Sequence, residues 1–391
     1  MKINKKILMA ACIAATPLTS QAIDYSFSGF GSLVGGATTD AAEFRPHIKY
    51  GGGKYDESFA LDVESRLGIQ GRVQLTDDLA VTAQVVSRGA HNWRPELKWA
   101  YLSYQVNDNV QLKVGRLNMP FYLYSDYQDV GYALPWISAP RNAYIVPVDG
   151  VDGVNVITSF TTEKFEHVVE VYAGKSDDSQ NKYEDGELGV ETPVFGFIYT
   201  PTYDGWLTVR MSYHEATGID LFSNDLDGLH AGLKGIGAPA KLIANTKFRN
   251  ERASFGGIAV KAELDRLTLI AELNQLDWHT TIFPHQKRGY ISAIYQVNDK
   301  FSPYITLMKN SDTGGDIQTI PEVSPLLTNA ALAAQVGESD TFGWAVGGRY
   351  EIADNMALKA EYQSQSSDIS KNEQTGEDVA DTFRVALDII F

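Results

Sequence analysis

Segments of about ten residues in which apolar and polar side chains alternate recur along almost the whole chain, joined in pairs by short polar turns. A period of two places successive side chains on opposite faces of a strand, so each segment has one apolar and one polar face. In 61–73, Leu61, Val63, Leu67, Ile69 and Val73 oppose Asp62, Glu64, Arg66, Gln70 and Arg72. Leu267, Leu269, Ala271 and Leu273 oppose Thr268, Glu272 and Asn274 in the same way. Phe342, Trp344, Val346 and Tyr350 oppose Gly343, Ala345, Gly347 and Arg349. Helical periodicity is almost absent, and no apolar run reaches the roughly 18 residues of a membrane-spanning helix. The chain is therefore all-β, and is either a soluble β-protein or a closed barrel.

The first 22 residues carry Lys2, Lys5 and Lys6, an apolar stretch from Ile7 to Leu18, and Ser20-Gln21-Ala22 with small residues at the cleavage-determining positions. That is a cleaved secretory signal, followed by one domain over 23–391. The only cysteine, Cys12, lies inside it, which leaves the exported protein without a disulfide or a Cys-based metal site. Of the 33 Lys and Arg, three lie in the signal; the others stand against 49 Asp and Glu, a charge of about −19. An acidic balance of that size argues against a nucleic-acid partner.

The turns set the topology. Leu75-Thr-Asp-Asp-Leu79, Val106-Asn-Asp-Asn-Val110, Val297-Asn-Asp-Lys-Phe301 and Ile352-Ala-Asp-Asn-Met356 share one pattern, and 161–164, 201–205 and 265–266 fit the same role. Asp and Asn suit them because their side chains bond the local backbone and tolerate left-handed conformations. Seven turns give fourteen strands; a first strand over Tyr25 to Gly36 and a last over Thr382 to Phe391 make sixteen. Eight longer polar segments lie between the hairpins, roughly 38–60, 88–95, 118–149, 175–190, 216–250, 277–286, 310–340 and 366–381. Short turns and both termini on one side, with long loops on the other, is the arrangement of an outer-membrane barrel. Tyr25, Phe27, Tyr104, Phe160, Phe165, Tyr199, Tyr203, Trp206, Tyr295, Phe301, Tyr350 and Phe391 cluster near the short turns, as an interfacial aromatic girdle requires. The expected fold is thus a transmembrane antiparallel β-barrel of about 16 strands.

Two stretches carry a family resemblance. The final strand, Phe383-Arg-Val-Ala-Leu-Asp-Ile-Ile-Phe391, resembles the C-terminal signal read by the barrel-assembly machinery, with Phe391 as its terminal aromatic. Leu97-Lys-Trp-Ala-Tyr-Leu-Ser-Tyr104 and Gln111-Leu-Lys-Val-Gly-Arg-Leu-Asn-Met-Pro-Phe121 resemble the fourth and fifth strands of Gram-negative outer-membrane porins. The resemblance implies a homotrimer in the outer membrane, in contact with its lipid and lipopolysaccharide. It also implies a third loop, Asn118 to Asp149, folded into each barrel, and a channel for passive diffusion of small hydrophilic solutes and ions. The segment Tyr124 to Trp136 departs from the acidic signature of enteric porins.

Strand alternation places Arg66, Arg72, Arg349, Lys359 and Arg384 on the inner face of neighbouring strands, a basic wall once the barrel closes. Asp126, Asp129 and Asp149 on the third loop form the acidic side, and the porin resemblance implies that Arg116 marks the exit into that loop. A narrow lumen walled by low dielectric focuses the field between such groups. A channel selective for a sugar or another flat solute would instead stack it on Tyr122, Tyr124, Tyr127, Tyr132 and Trp136, although packing the loop on the wall explains the same aromatics. A barrel enzyme finds little footing: the seven histidines are scattered and no Gly-x-Ser-x-Gly accompanies them. An adhesin without useful conductance is a further alternative. No catalytic residue, cofactor or metal ligand set is expected.

Overall fold

In a computed structural model the described residues are 24–39, 43–44, 46, 53–140, 143–144, 146, 148, 150–177, 189–222, 224–238, 240–245, 249–279, 284–313, 339–366 and 379–391. Residues 1–22, read from the sequence as a signal, lie outside them. Sixteen strands follow one another as β1 (Asp24–Thr38), β2 (Arg66–Gln74), β3 (Leu79–Arg88), β4 (Pro95–Asn107), β5 (Val110–Asn118), β6 (Gly150–Thr162), β7 (Phe165–Asp177) and β8 (Gly189–Tyr203). Then come β9 (Leu207–Phe222), β10 (Glu251–Leu264), β11 (Leu267–Trp278), β12 (His285–Tyr295), β13 (Phe301–Thr313), β14 (Ser339–Ala353), β15 (Met356–Ser366) and β16 (Val379–Ile390).

Every strand pairs antiparallel with its sequence neighbours, and β1 closes the ring on β16 from Phe30↔Ile390 to Thr38↔Thr382. Closure leaves no unpaired edge, the condition for a sheet to sit in hydrocarbon. The seven short turns fall where the sequence puts them. Asp204 and Asp265 occupy left-handed backbone at φ 49° and 50°, and Glu163 does so at φ 47° without the side chain that eases it.

The apolar faces point outward. Leu67, Ile69, Val81, Val85, Leu102, Val114, Leu269, Leu273, Ile291, Leu307 and Phe342 are all exposed. A soluble protein would bury these; a barrel presents them to lipid. All twelve girdle aromatics but Tyr199 and Tyr203 are exposed as well, and Phe165 packs on Tyr203 with ring centroids 5.0 Å apart. Phe391 continues the β1 pairing, with its backbone bonded both ways to Gly29 at 2.7 and 3.0 Å.

Two differences from the sequence expectation concern the loops. The strand assigned to 61–73 begins only at Arg66, and Val63 is buried with Phe44 and Tyr55 rather than facing outward. The first loop folds back there, with Gly36 bridging Ala60 and Phe44 bridging Tyr55. The fifth loop holds two short helices, α1 (Asn224–Gly235) and α2 (Ala240–Asn245). Asn224-Asp225 ahead of Leu226, Leu229 and Leu233 was a legible helix start and stripe. Leu233 is buried against the inner wall.

Candidate functional site: the third loop and the lumen

The third loop runs inside the barrel from Asn118 to Gly150, held at its start by its own turn chemistry. The Ser125 hydroxyl accepts from Tyr122 N–H at 2.9 Å, and the Ser125 carbonyl accepts from Asn118 Nδ2 at 2.8 Å. These bonds close the one-turn helix Ser125–Tyr127; a second turn follows at Gly131–Ala133.

From there the wall grips the loop by its backbone. Arg66 Nε donates to Asp129 O at 2.7 Å, and Lys359 Nζ donates to Gly131 O and Trp136 O at 2.6 and 2.7 Å. Arg349 donates to Leu134 O at 3.0 Å and to Tyr132 O. On the other flank Arg210 donates to Phe121 O at 3.1 Å and to Pro120 O, and Leu123 N–H donates to Glu272 at 3.1 Å. Gly131 comes so close to the wall that a Cβ there would lie 2.2 Å from Asp388 Oδ1 and 2.4 Å from Ser32 Oγ. No residue with a side chain fits without moving the loop.

Beneath this contact lies a buried ionic layer. Lys359 pairs with Asp388 at 2.8 Å, and neither side chain has any exposure. Arg384 pairs with Glu64 at 2.9 Å and with Glu361. Glu64 also accepts from Tyr55 OH at 3.0 Å and Ser138 Oγ at 2.7 Å; Glu361 accepts from Tyr304 OH at 2.6 Å. Buried pairs gain little net stability because desolvation offsets their attraction, but hydrogen-bonded from several sides they fix one arrangement. Here the arrangement is the path of the loop.

The loop's apolar residues complete the seal over β11–β14. Trp136 is 1% exposed, donates Nε1 to Ser292 Oγ and Thr306 Oγ1 at 2.9 Å each, and meets Tyr124 and Tyr290 edge to face. Burial, and then the Glu272 carboxylate, push the Tyr144 hydroxyl well above the usual tyrosine range, so it stays a donor.

The opposite wall, from β2 to β7, stays in contact with solvent. Gln70, Trp99, Tyr101, Gln111, Lys113 and Glu170 are half-buried there, and Arg72 is exposed. A bulge at Lys98, left unpaired opposite the Gln84–Val85 step of β3, turns both Lys98 and Trp99 inward, and Trp99 donates Nε1 to Gln70 at 3.1 Å. Lys113 sits 5.4 Å over the Tyr101 ring. From the loop side Asp126 and Tyr127 are exposed, and Asp126 acts electrostatically on Glu170 and Arg210. Burial, and then Asp126, raise the Tyr127 hydroxyl, so near neutral pH it stays uncharged and of these two residues the carboxylate carries the charge.

By sequence, no family model and no curated protein matches the chain. By structure it is similar to the outer-membrane channel DcaP of Acinetobacter baumannii, at TM-score 0.61 and 12% identity over 94% of this chain and 97% of that one. It is similar also to the anion-selective porin of Comamonas acidovorans, at TM-score 0.58 and 11% identity over 94% and 100%. OmpF of Salmonella typhi, in complex with daunomycin, superposes at TM-score 0.57 and 13% identity over 94% and 97%. The fold is that of a Gram-negative porin.

Within the porin fold several site expectations need correction. The basic wall and the acidic loop do not face each other across open water. Arg66, Arg349, Lys359 and Arg384 are spent on holding the first and third loops, and Asp129 is itself bound to Arg88 at 2.8 Å and Lys98 at 3.5 Å. Arg116 faces outward. It shares a face with Val114, opposite Asp152, to which it donates at 3.0 and 3.1 Å, while Leu117 next to it is buried inside. The family motif outweighed strand parity there. Among the loop aromatics Tyr122, Tyr124 and Trp136 are buried, and Tyr132 is fixed against Arg349 at 4.5 Å and by its hydroxyl to Asp354 O at 2.7 Å. Tyr127 alone of the five is exposed. Arg72 is exposed and bonds Gln74 at 3.1 Å. Asp149 lies outside the described residues. The lane residues Trp99, Tyr101 and Glu170 went unnoticed, although strand parity around the bulge would have shown Tyr101.

Proposed function

We propose that this barrel is an outer-membrane channel through which small hydrophilic solutes and ions diffuse passively. One observation carries it: the third loop is fastened to one wall and leaves the β2–β7 wall wetted and lined by polar and charged side chains. Such a lane passes hydrated solutes and offers no chemistry to change them. Purified protein folded in detergent is expected to give stepwise, ohmic currents in planar bilayers. Absence of conductance from folded protein overturns this reading.

Asp126 and Glu170 stand beside Lys113 and Arg72 at the lane, and it is the strongly acidic chain as a whole that makes the channel favour cations. Asp126→Asn is expected to move the reversal potential in a salt gradient towards anions with little change in stability. Asp129→Asn is expected to cost stability instead, because it strips a partner from two buried cations. An unshifted reversal potential for Asp126→Asn removes that residue from the constriction.

The homotrimer is proposed on the outward face of β1, where Gly29, Gly31 and Gly35 lack side chains and Phe27, Leu33 and Phe59 stand exposed. Disulfide cross-linking between cysteines placed on that face checks it. At the loop end, the outward pairs Arg116–Asp152, Lys175–Glu191 and Lys309–Asp340 form a charged collar suited to lipopolysaccharide head groups.

A further inference from the structure

Of the five third-loop aromatics only Tyr127 is exposed, but the barrel wall on the far side of the lane offers a ring of its own. Trp99 on β4 stands in a row with Gln84 on β3 and Gln70 on β2, each directly opposite the next. Its Nε1 donates to Gln70 Oε1 at 3.1 Å, so indole and amide lean together over the strand between them, across two strand spacings or about 10 Å. Gln84 lies beneath. It donates Nε2 to the same oxygen at 3.4 Å and is only 6% exposed. One side of the indole therefore covers Gln84, and the surface that leaves Trp99 half-buried belongs to its other side, turned to the lumen. Among the described residues no other aromatic ring stacks on it, whereas Tyr101 has Lys113 5.4 Å over its ring.

The residue before it sets its height. Lys98 is buried and pairs with Asp129 of the third loop at 3.5 Å, which puts Trp99 level with that loop. Donors edge the ring. An indole N–H can only donate, so the atom of Gln70 facing it is the oxygen, and the amide nitrogen is left to donate to whatever fills the lane. Arg72 follows on the same face of β2, about 7 Å along the strand; it is exposed and bonds Gln74 through one of its five N–H groups.

We propose that the lane binds a neutral sugar, one hexose ring lying on Trp99 with its hydroxyls on Gln70 Nε2 and Arg72. The C–H groups of a sugar ring are positively polarised and meet the electron-rich face of the indole, while the hydroxyls around its rim accept from the amide and the guanidinium. A flat aromatic solute stacks as well but leaves both donors unmet. Passage of the sugar rests on the proposed channel function; its binding does not.

The probe is cellobiose, whose rings carry C–H groups on both faces and hydroxyls at the rim. Calorimetric titration of the detergent-folded barrel reads binding whether or not it conducts, and interruptions of single-channel current read the same site in a bilayer. Wild type is expected to bind cellobiose saturably, and a polyethylene glycol of the same mass, which has no ring face, to give no such response. Trp99→Leu is expected to weaken cellobiose about tenfold, and Trp99→Phe, which keeps a ring face, by no more than about threefold. Gln70→Leu is expected to weaken it about fivefold, with far-ultraviolet circular dichroism confirming a folded barrel in each variant. No saturable binding to folded wild type overturns the proposal, as does equal affinity in wild type and Trp99→Leu. Tighter binding of benzyl alcohol than of cellobiose assigns the ring to aromatic solutes and overturns it too. A barrel that binds cellobiose through Trp99 without conducting supports the site and overturns the channel.

Discussion

Lys359→Met is expected to destabilise the barrel by about 3–5 kcal/mol and to raise its single-channel conductance. The ammonium has no exposure, pairs with Asp388 at 2.8 Å, and donates to two third-loop carbonyls, Gly131 O and Trp136 O. Methionine fills similar space and leaves a buried carboxylate whose remaining described donor is Ser32 Oγ at 2.5 Å. The double change Lys359→Met with Asp388→Leu removes both charges and is expected to recover most of the stability, since well-packed apolar groups replace buried pairs at little cost. It does not restore a donor to the loop carbonyls, so conductance stays raised. Chemical denaturation and bilayer recording on the same three proteins separate the two effects. Unchanged conductance in both variants would show that Lys359 holds the wall together and not the loop.

Trp136→Ala is expected to cost about 3–5 kcal/mol and to make the open channel noisy, because the indole plugs the loop into the β12–β13 wall. Trp136→Phe keeps most of the packing but leaves Ser292 Oγ and Thr306 Oγ1 without their shared donor, an expected cost of about 1–2 kcal/mol. Tyr127→Ala is the contrast. Its ring is exposed at the lane, so stability is expected to stay within about 0.5 kcal/mol while the passage of bulky solutes changes. Denaturation midpoints and liposome swelling with a graded series of sugars read the two properties independently. Equal destabilisation by Trp136→Ala and Tyr127→Ala would rule out the division between packing and lumen aromatics.

Much of the barrel was written in the sequence because the bilayer imposes a simple rule on each strand. Leu269 outward and Glu272 inward, or Val346 outward and Arg349 inward, follow from parity alone once one face must meet hydrocarbon. The turns were legible because Asp204 and Asp265 sit where left-handed backbone needs them. The site was far less legible. Parity says that Lys359 and Arg384 point inward; it does not say whether water or a folded-in loop awaits them. That depends on contacts such as Lys359 to Gly131, 228 residues apart in sequence. Aromatics on the third loop read the same whether they stack a solute or seal a wall, and only the distances around Trp136 and Tyr127 separate the cases. The bulge at Lys98 is a one-residue irregularity that alternation cannot anticipate, and it is what brings Trp99 into the lumen.

The wall holds the third loop at the carbonyl oxygens of Asp129, Gly131, Tyr132, Leu134, Trp136 and Ile137. A carbonyl is common to all twenty amino acids, so apart from Gly131, where a side chain would strike Asp388 and Ser32, these bonds do not depend on the side chain of the residue they grip. Lumen-facing positions between the grips at Phe121 and Asp129, Asp126 to Gln128 above all, can therefore be exchanged while the frame that carries them keeps its course. A barrel built this way separates the question of where its filter stands from the question of what its filter admits, and new permeabilities are open to it at the cost of a few surface-like substitutions.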